Sequence, residues 1–309
     1  MANSERRLDF FSSPDLNDVD KHSNPLAKAA AAILNGDLCE AEAIYRRCLE
    51  NEPHPASAWA GLGATLKKQN KLDQAADAYR AAIHWESKLA SSHFRLAEVL
   101  LSQARLSESL TACETGIELY NDFGEGLIIR SYIKKHMGLL DEAADDLRLV
   151  IERYPDSINT YMILSDIYSL NDKHNLAIDI LKKALSIDAL NANHHLALAT
   201  LYRKSGKLRE AFDEYIAAAG LDPKSVNAYE GLAWIAAGEY NHTLAASIRE
   251  FITLLKPDSS IAIYNLGISL NADKKIDAAV DCFKKAIAID PGFNEALVEL
   301  SWAQQRVCD

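Results

Sequence analysis

The feature that most constrains this chain is a repeat of 34 residues. Pro155, Pro223, Pro257 and Pro291 are separated by 68, 34 and 34 residues, which are all multiples of one period. The same register runs from residue 22 to residue 293 without an insertion. A unit of this length holds one supersecondary motif that buries its apolar face against its neighbours, so the period predicts a stacked array. The predicted repeats start at residues 22, 56, 90, 124, 158, 192, 226 and 260.

Each repeat carries one pattern of large and small apolar residues. In the sixth repeat this set comprises Leu198, Ala199, Tyr202, Ala211, Tyr215 and Ala218. Apolar residues at i, i+3, i+4 and i+7 predict two amphipathic helices, and the polar segment 204–207 predicts the turn between them. The small residues at repeat positions 8, 20 and 27 allow the helices to approach closely. The chain has only 13 glycines and 8 prolines, which favours helices joined by short connections.

This pattern resembles the tetratricopeptide repeat (TPR) family over about nine tenths of the chain. The resemblance implies antiparallel helix pairs that stack into a right-handed superhelix, with the first helix of each pair lining a concave surface. The predicted fold is therefore all-α. We expect a flexible acidic tail over residues 1–21, a right-handed superhelical solenoid of eight 34-residue helix-turn-helix repeats over 22–293, and a C-terminal capping helix over 294–309.

Some repeats depart from the pattern. Cys113 in the third repeat and Arg249 in the seventh occupy a position that is aromatic in the second, sixth and eighth repeats. We expect these two repeats to pack less tightly. Trp59 and Trp85 fall at core positions of the pattern and are predicted to be structural.

The charge and the cysteines restrict the partners and the compartment. The chain has 33 basic and 44 acidic residues, for a formal net charge of −11, which argues against nucleic acid or an anionic membrane surface as the main partner. It has no run of eighteen apolar residues, and its first twenty residues lack the apolar segment of a secretory signal. The five cysteines form no CxxC pair. We therefore expect a cytoplasmic protein that does not insert into a membrane.

The sequence offers no recognisable catalytic motif. It lacks GxGxxG, the P-loop pattern, HExxH and GxSxG. His194 and His195 form the one histidine cluster, but adjacent helical residues point about 100° apart and do not share a metal as an i, i+4 pair does. An array that uses most of its residues for stacking leaves no second domain for catalysis. We therefore predict a protein that is not an enzyme and has no cofactor or metal.

The resemblance places repeat positions 5 and 9 on the concave surface. The apolar and aromatic residues at these positions predict a peptide-binding groove lined by Phe94, Ile128, Tyr132, Met162, Leu196, Trp234, Tyr264 and Ile268. Two interpretations stand for position 5, because its side chains either contact a peptide or only pack the helices together. Trp234 favours binding, since a large ring at position 9 contributes little to stacking.

Positions 12 and 13 carry cations, which we name the basic rim: Lys67, Lys68, Lys135, Arg203 and Lys204. One interpretation is that the rim pairs with acidic side chains or a carboxylate of a bound peptide. The other is that these cations stabilise helix C-termini through the helix dipole. Chaperone-binding family members hold a terminal carboxylate with a lysine at position 5, and no position 5 is lysine here.

The leading hypothesis is a non-catalytic TPR adaptor or scaffold. It would bind, in its groove, a protein or peptide that has apolar anchors and acidic flanks. One alternative is a self-assembling homo-oligomeric scaffold, in which Phe10 and Phe11 of one molecule enter the groove of the next. Another is an accessory recognition subunit of an enzyme or a secretion complex.

Self-assembly makes a direct prediction about the tail. If Phe10 and Phe11 join molecules head to tail, deleting residues 1–21 converts an oligomer into a monomer, which light scattering measures. A chain that is monomeric both with and without residues 1–21 would contradict this alternative.

Overall fold

The computed structural model describes residues 25–51, 56–120 and 124–308. These ranges contain seventeen helices and no strand, so the all-α prediction is confirmed. The chain divides between Pro155 and Asp156 into two compact units. The helices of the first unit are α1 (Pro25–Asn35), α2 (Leu38–Asn51), α3 (Ala56–Lys68), α4 (Leu72–Trp85), α5 (Ala90–Ser102), α6 (Leu106–Leu119), α7 (Gly124–His136) and α8 (Leu140–Arg153). Those of the second unit are α9 (Ile158–Leu170), α10 (His174–Ile187), α11 (Ala192–Lys204), α12 (Leu208–Leu221), α13 (Val226–Gly238), α14 (His242–Leu255), α15 (Ser260–Ala272), α16 (Ile276–Ile289) and α17 (Asn294–Cys308).

The helices follow the period of the sequence. From α3 onward, the first helices of successive pairs begin at residues 56, 90, 124, 158, 192, 226 and 260, and α17 begins at 294. Within each unit, helices that are consecutive in the chain pack against each other. The division into a tail, eight repeats and a capping helix stays a prediction, which this spacing supports.

The turn inside each helix pair holds one residue in the left-handed region of backbone space. These residues lie 34 apart and are Gly36, Asn70, Ala104, Gly138, Asp172, Gly206, Tyr240 and Lys274. After α11, the Gly206 N–H donates to the Arg203 carbonyl at 3.1 Å and the Lys207 N–H to the Tyr202 carbonyl at 2.9 Å. These bonds satisfy carbonyls at the helix end, as in a Schellman turn. The short turn makes the two helices of a pair antiparallel neighbours.

A small residue near the start of each second helix has no exposed surface. The eight residues are Ala41, Ala75, Ser109, Ala143, Ala177, Ala211, Ala245 and Ala279, each 0% exposed. A small side chain at a fully buried helix contact lets two backbones approach closely, and a larger one would force them apart. The interpretation of these positions as sites of close helix approach agrees with this burial.

Four residues further along the second helix lies a position that we name the ring position. It holds Tyr45, Tyr79, Tyr215 and Phe283 in four pairs, all buried. Their rings lie against glycines of the first helices. A Cβ atom would lie 2.4 Å from the Tyr45 ring at Gly61, 3.0 Å from the Tyr79 ring at Gly63, 2.3 Å from the Tyr215 ring at Gly231 and 2.6 Å from the Phe283 ring at Gly267. The rings therefore occupy the space that a side chain at these glycines would need.

The expected looser packing of the third pair does not occur. Cys113 takes the ring position there and is completely buried. The missing volume is filled by Phe94 of α5, which is only 2% exposed. A Cβ atom would lie 2.6 Å from its ring at Gly116 and 2.8 Å at Gly126. Phe94 is therefore a core residue here, which removes it from the predicted groove.

The two tryptophans predicted to be structural differ in their surroundings. Trp59 is partly buried and packs against the core of the first unit. Trp85 is 44% exposed and contacts the His84 ring edge-on at 5.2 Å, so its assignment to the core is wrong. It is the last residue of α4, where the chain leaves the packed face.

Helix α17 packs on α16 through Ala296 and Ala303, both 0% exposed. Its other face leaves Leu297, Val298 and Trp302 exposed. The helix therefore covers part of the preceding pair and presents an apolar face of its own.

Replacing Gly267 with alanine is expected to lower the melting temperature. The added methyl group meets the buried Phe283 ring and the Cβ atom of Cys282 at 3.2 Å, and such overpacking costs about 1–3 kcal/mol. Gly238→Ala is the matched control, because a Cβ atom there meets nothing within 4 Å. Equal melting temperatures for the two variants, measured by circular dichroism, would contradict this account of the core.

Candidate functional site

Three of the predicted groove and rim residues meet in one open cavity of the second unit. Leu196, Arg203 and Trp234 line a space of about 460 Å³. The cavity is formed mainly by the first helices α11, α13 and α15. We name it the Trp234 cavity. Its remaining lining residues are Thr200, Tyr215, Asn227, Glu230, Gly231, Arg249 and Asn265.

Arg203 and Trp234 form a cation–π pair at this cavity. The guanidinium carbon of Arg203 lies 5.0 Å from the centroid of the Trp234 ring, within the range of a cation–π contact. The Arg203 Nε–H donates to the Tyr215 hydroxyl at 3.3 Å. Trp234 is nevertheless 48% exposed. The pair therefore presents a cation and an accessible aromatic surface side by side.

Arg249 occupies the ring position of the seventh pair, where its side chain is only 13% exposed. Its Nη1 donates to the Ser269 hydroxyl at 2.6 Å and to the Asn265 carbonyl at 3.2 Å. Its Nε lies 3.8 Å from Oε2 of Glu230. The Glu230 Oε1 also accepts a bond from the Asn265 side-chain amide at 3.4 Å. A polar group with directed hydrogen bonds thus replaces a ring on the wall of the cavity.

Two predicted groove residues, Tyr264 and Ile268, pack instead against the core around Phe283. The Tyr264 ring lies 4.9 Å from that of Phe293 and 5.8 Å from that of Phe283. Ile268 is partly buried against the core around Phe283. Neither residue lines the Trp234 cavity. The alternative interpretation, that apolar first-helix residues pack helices together, fits these two positions.

The remaining groove residues are not among those that line the Trp234 cavity. Met162 in the second unit is partly buried. In the first unit, Ile128 is partly buried and Tyr132 is 36% exposed. Phe10 and Phe11 lie outside the described residues.

The basic rim is not uniformly available to a ligand. Lys67 pairs with Glu98 at 2.8 Å, and Arg95 pairs with both Glu98 at 3.0 Å and Glu125 at 2.9 Å. Burial raises the pKa of Glu98, but Arg95 and Lys67 outweigh it and hold that pKa below its ordinary value of 4.5. Burial keeps the pKa of Glu125 above its ordinary value despite Arg95. The Lys67 part of the rim is therefore neutralised by the protein itself.

The other rim residues are more accessible. Lys68 and Lys204 are exposed and Lys135 is partly exposed. The Lys204 ammonium lies 3.5 Å from the Ser169 hydroxyl, a contact that leaves its charge uncompensated by a carboxylate.

The two adjacent histidines make contacts within the protein. His195 contacts Glu214 through Nδ1 at 2.6 Å and the Ala189 carbonyl through Nε2 at 3.1 Å. Burial lowers the pKa of His194. In the described part of the chain, no group of three or more histidine, cysteine, aspartate or glutamate residues is placed to hold a metal ion. Among the described helices, none combines the length and apolarity that a membrane span requires.

Sequence reasoning finds three lining residues of the Trp234 cavity and misses the others. Glu230 is at a predicted groove position but breaks the apolar pattern, and Asn265 lies one residue after Tyr264 in the sequence. The usable signal is Arg249, which departs from the aromatic pattern of the ring position. That departure marks the wall of the cavity.

Comparisons with known proteins agree on the repeat. Sequence models of the tetratricopeptide repeat match residues 26–87, 65–122, 128–157, 158–189, 196–248 and 260–293. A stretch of 59 residues is 42% identical to protein O-mannosyl-transferase TMTC2 from Homo sapiens, and covers 19% of this chain and 7% of that protein. DnaJ homolog subfamily C member 3 from Bos taurus is 22% identical over 274 residues, which cover 80% of this chain and 54% of the relative. The chain thus spans about half or less of these relatives.

Solved structures show a similar fold. Yeast Tom70 has a TM-score of 0.61 at 16% identity, over 95% of this chain and 66% of Tom70. The C-terminal part of a TPR repeat-containing protein from Cytophaga hutchinsonii has a TM-score of 0.65 at 15% identity, over 77% of this chain and 98% of that one. Identities this low show the fold alone.

The ion pairs of Glu98 predict a pH-dependent contribution to stability. A carboxylate with a lowered folded-state pKa stabilises the fold above its unfolded pKa, and this is lost as the pH falls through the folded pKa. Glu98→Gln is therefore expected to lower unfolding free energy by about 1–2 kcal/mol at neutral pH. The difference from wild type should shrink as the pH falls below 4.5.

Urea denaturation at a series of pH values measures this difference. Glu152→Gln is the control, because Glu152 is an exposed residue of α8 in the same unit. A stability difference for Glu98→Gln that stays constant with pH would rule out the charge as its cause.

Proposed function

The chain belongs to the tetratricopeptide repeat family, and from that premise we propose that it is a non-catalytic adaptor that binds a segment of a partner protein at the Trp234 cavity. The observation that carries this proposal is the exposed Trp234 ring on the wall of an open cavity, beside Leu196 and Arg203. A large aromatic side chain next to polar groups of fixed geometry is typical of a binding hot spot.

The proposed binding site contains fewer residues than the groove predicted from the sequence. Trp234 and Leu196 are the primary contacts, and Met162 is a further proposed contact in the second unit. Ile128 and Tyr132 stay a separate proposed contact surface of the first unit. Phe94, Tyr264 and Ile268 are left out, because their side chains pack within their own units. Of the basic rim, Arg203 and Lys204 remain in the proposed site of the second unit, and Lys68 and Lys135 remain proposed contacts of the first unit.

The expected affinity is modest. Burying two or three leucine or phenylalanine side chains contributes about 1.5–3 kcal/mol each. The ordering of a flexible segment and the loss of its translational freedom offset much of this gain. A dissociation constant of about 1 μM for a single segment is therefore reasonable.

We propose that this chain catalyses no reaction, that any catalysis belongs to its partner, and that the protein resides in the cytoplasm. The four described cysteines Cys39, Cys48, Cys113 and Cys282 are free thiols, which supports a reducing compartment. The match to an O-mannosyl-transferase covers only 7% of that protein and so supports no transfer activity for this chain. Turnover of a substrate by the purified chain would contradict the non-catalytic part.

Trp234→Ala is expected to abolish capture of the partner from extracts of the source cells, because it removes the ring that a bound segment would bury. The retained proteins are measured by quantitative mass spectrometry after cross-linking. Trp302→Ala is the matched control, since Trp302 is also exposed, at 57%, but lies on α17 away from the cavity.

Circular dichroism of both variants checks that helicity is kept. The proposal fails if Trp234→Ala retains the same partners as the wild type. It also fails if Trp302→Ala loses them to the same extent.

A further inference from the structure

The charges around the Trp234 cavity do not balance. Arg203 and Arg249 are cations in its lining, and Glu230 is the one carboxylate among the described lining residues. The carboxylate of Glu230 is turned to Arg249 and to the amide of Asn265. Within residues 25–51, 56–120 and 124–308, Arg203 has no carboxylate partner. The guanidinium of Arg203 is therefore uncompensated in the cavity lining, although the net charge of the chain is −11.

The other arginines on the described first helices α1 to α15 are paired with carboxylates, which makes Arg203 an exception among them. Arg130 forms a two-pronged pair with Asp146 at 2.7 and 2.9 Å. Arg95 pairs with Glu98 and Glu125. With 44 acidic residues in the chain, an unpaired arginine at a cavity is a specific feature of this place.

Arg203 is also held in position before any ligand arrives. Its Nε–H is bonded to the Tyr215 hydroxyl and its guanidinium carbon lies over the Trp234 ring, so its terminal N–H groups remain for a ligand. A guanidinium presents these groups as a planar fork that matches a carboxylate. Because the side chain is already ordered, binding loses little conformational freedom.

An apolar surface lies directly beside this fork. Trp234 is half-exposed, and Leu196 lines the same cavity. The side chains of Asn227 and Asn265 are further polar groups in the lining, of a kind that can bond an extended backbone. The cavity therefore offers a carboxylate site and an apolar site to neighbouring side chains.

We propose that the Trp234 cavity recognises an aspartate or glutamate side chain next to a large apolar side chain within the partner segment, with the carboxylate on Arg203 and the apolar group on Trp234 and Leu196. This inference rests on the proposed function and names the chemistry of its ligand. An internal side chain is the source of the carboxylate, because residues of three successive first helices line the cavity and can hold backbone on both sides of it.

The test uses an array of acetylated and amidated heptapeptides. Their two central residues pair aspartate, glutamate, asparagine, glutamine or lysine with leucine, phenylalanine or tryptophan. The wild type is expected to bind the acidic peptides about tenfold more tightly than the amide peptides, as one charged hydrogen-bonded contact allows. Arg203→Gln should bring this ratio to about one while apolar preference persists.

Two further variants test whether a change in peptide binding could come from a general loss of structure. Arg209→Gln removes an exposed arginine of α12 in the same unit and should keep the tenfold ratio. Thr200→Trp replaces a small lining residue of α11 with a large ring and should occupy much of the cavity. This variant should lose binding of all the peptides while circular dichroism shows that its helicity is kept.

Several outcomes overturn the inference. They are no binding of acidic peptides by the wild type, an acidic preference that survives Arg203→Gln, and binding that requires a free terminal carboxylate in a matched set of non-amidated peptides. In each case, loss of partner capture by Trp234→Ala would still support the proposed function. Retained capture would instead reject that function.

Discussion

The buried contact between the ring position of a second helix and the small residues of the first helices is the constraint on which the rest of both units depends. A ring makes this contact in four of the described pairs. A ring buries about 150–250 Å² and so supplies much of the energy of a pair. At Gly61 and Gly63 the neighbouring rings leave no space for a Cβ atom without a shift. The contact sets how closely helices approach, and it repeats because the sequence repeats. The first-helix surface that could meet a ligand is therefore whatever this packing leaves uncovered.

Four of the eight described pairs have no ring at the ring position: two hold a fully buried leucine, Leu147 or Leu181, and the other two hold Cys113 and Arg249. The last two have opposite outcomes. At Cys113 a small side chain leaves a gap, and Phe94 from the first helix fills it. At Arg249 the replacement is large but polar, and a guanidinium needs hydrogen-bond partners when it is removed from water. It finds them in Asn265 and Ser269, which fixes it at the cavity wall. The gap at Cys113 is thus filled within the core, whereas Arg249 lies on the wall of an open polar cavity.

The period predicted the helical class and the residues at which first helices begin, because each repeat applies one packing rule to a short segment. The candidate site was predicted only in part. Repeat position alone does not say whether an apolar side chain turns outward, as Trp234 does, or fills a gap, as Phe94 does. That outcome depends on what the adjacent pair lacks. Ion pairs such as Lys67 with Glu98 join residues 31 apart in sequence, so a rim counted from one position of the repeat overstates the available charge.

Ion pairs of this kind neutralise cations such as Lys67, so the absence of one at Arg203 bears on whether Arg203 binds a ligand. A cation near a helix C-terminus gains a few tenths of a kcal/mol from the dipole, so its presence alone needs no ligand. That explanation applies equally to Lys68, which is simply solvated at the end of α3. It does not require a cation–π contact with a half-exposed tryptophan or a bond to Tyr215. Holding a long side chain in one place costs rotamer entropy. Such ordering, without a carboxylate to pair with, is the arrangement expected of a side chain placed for an incoming negative group.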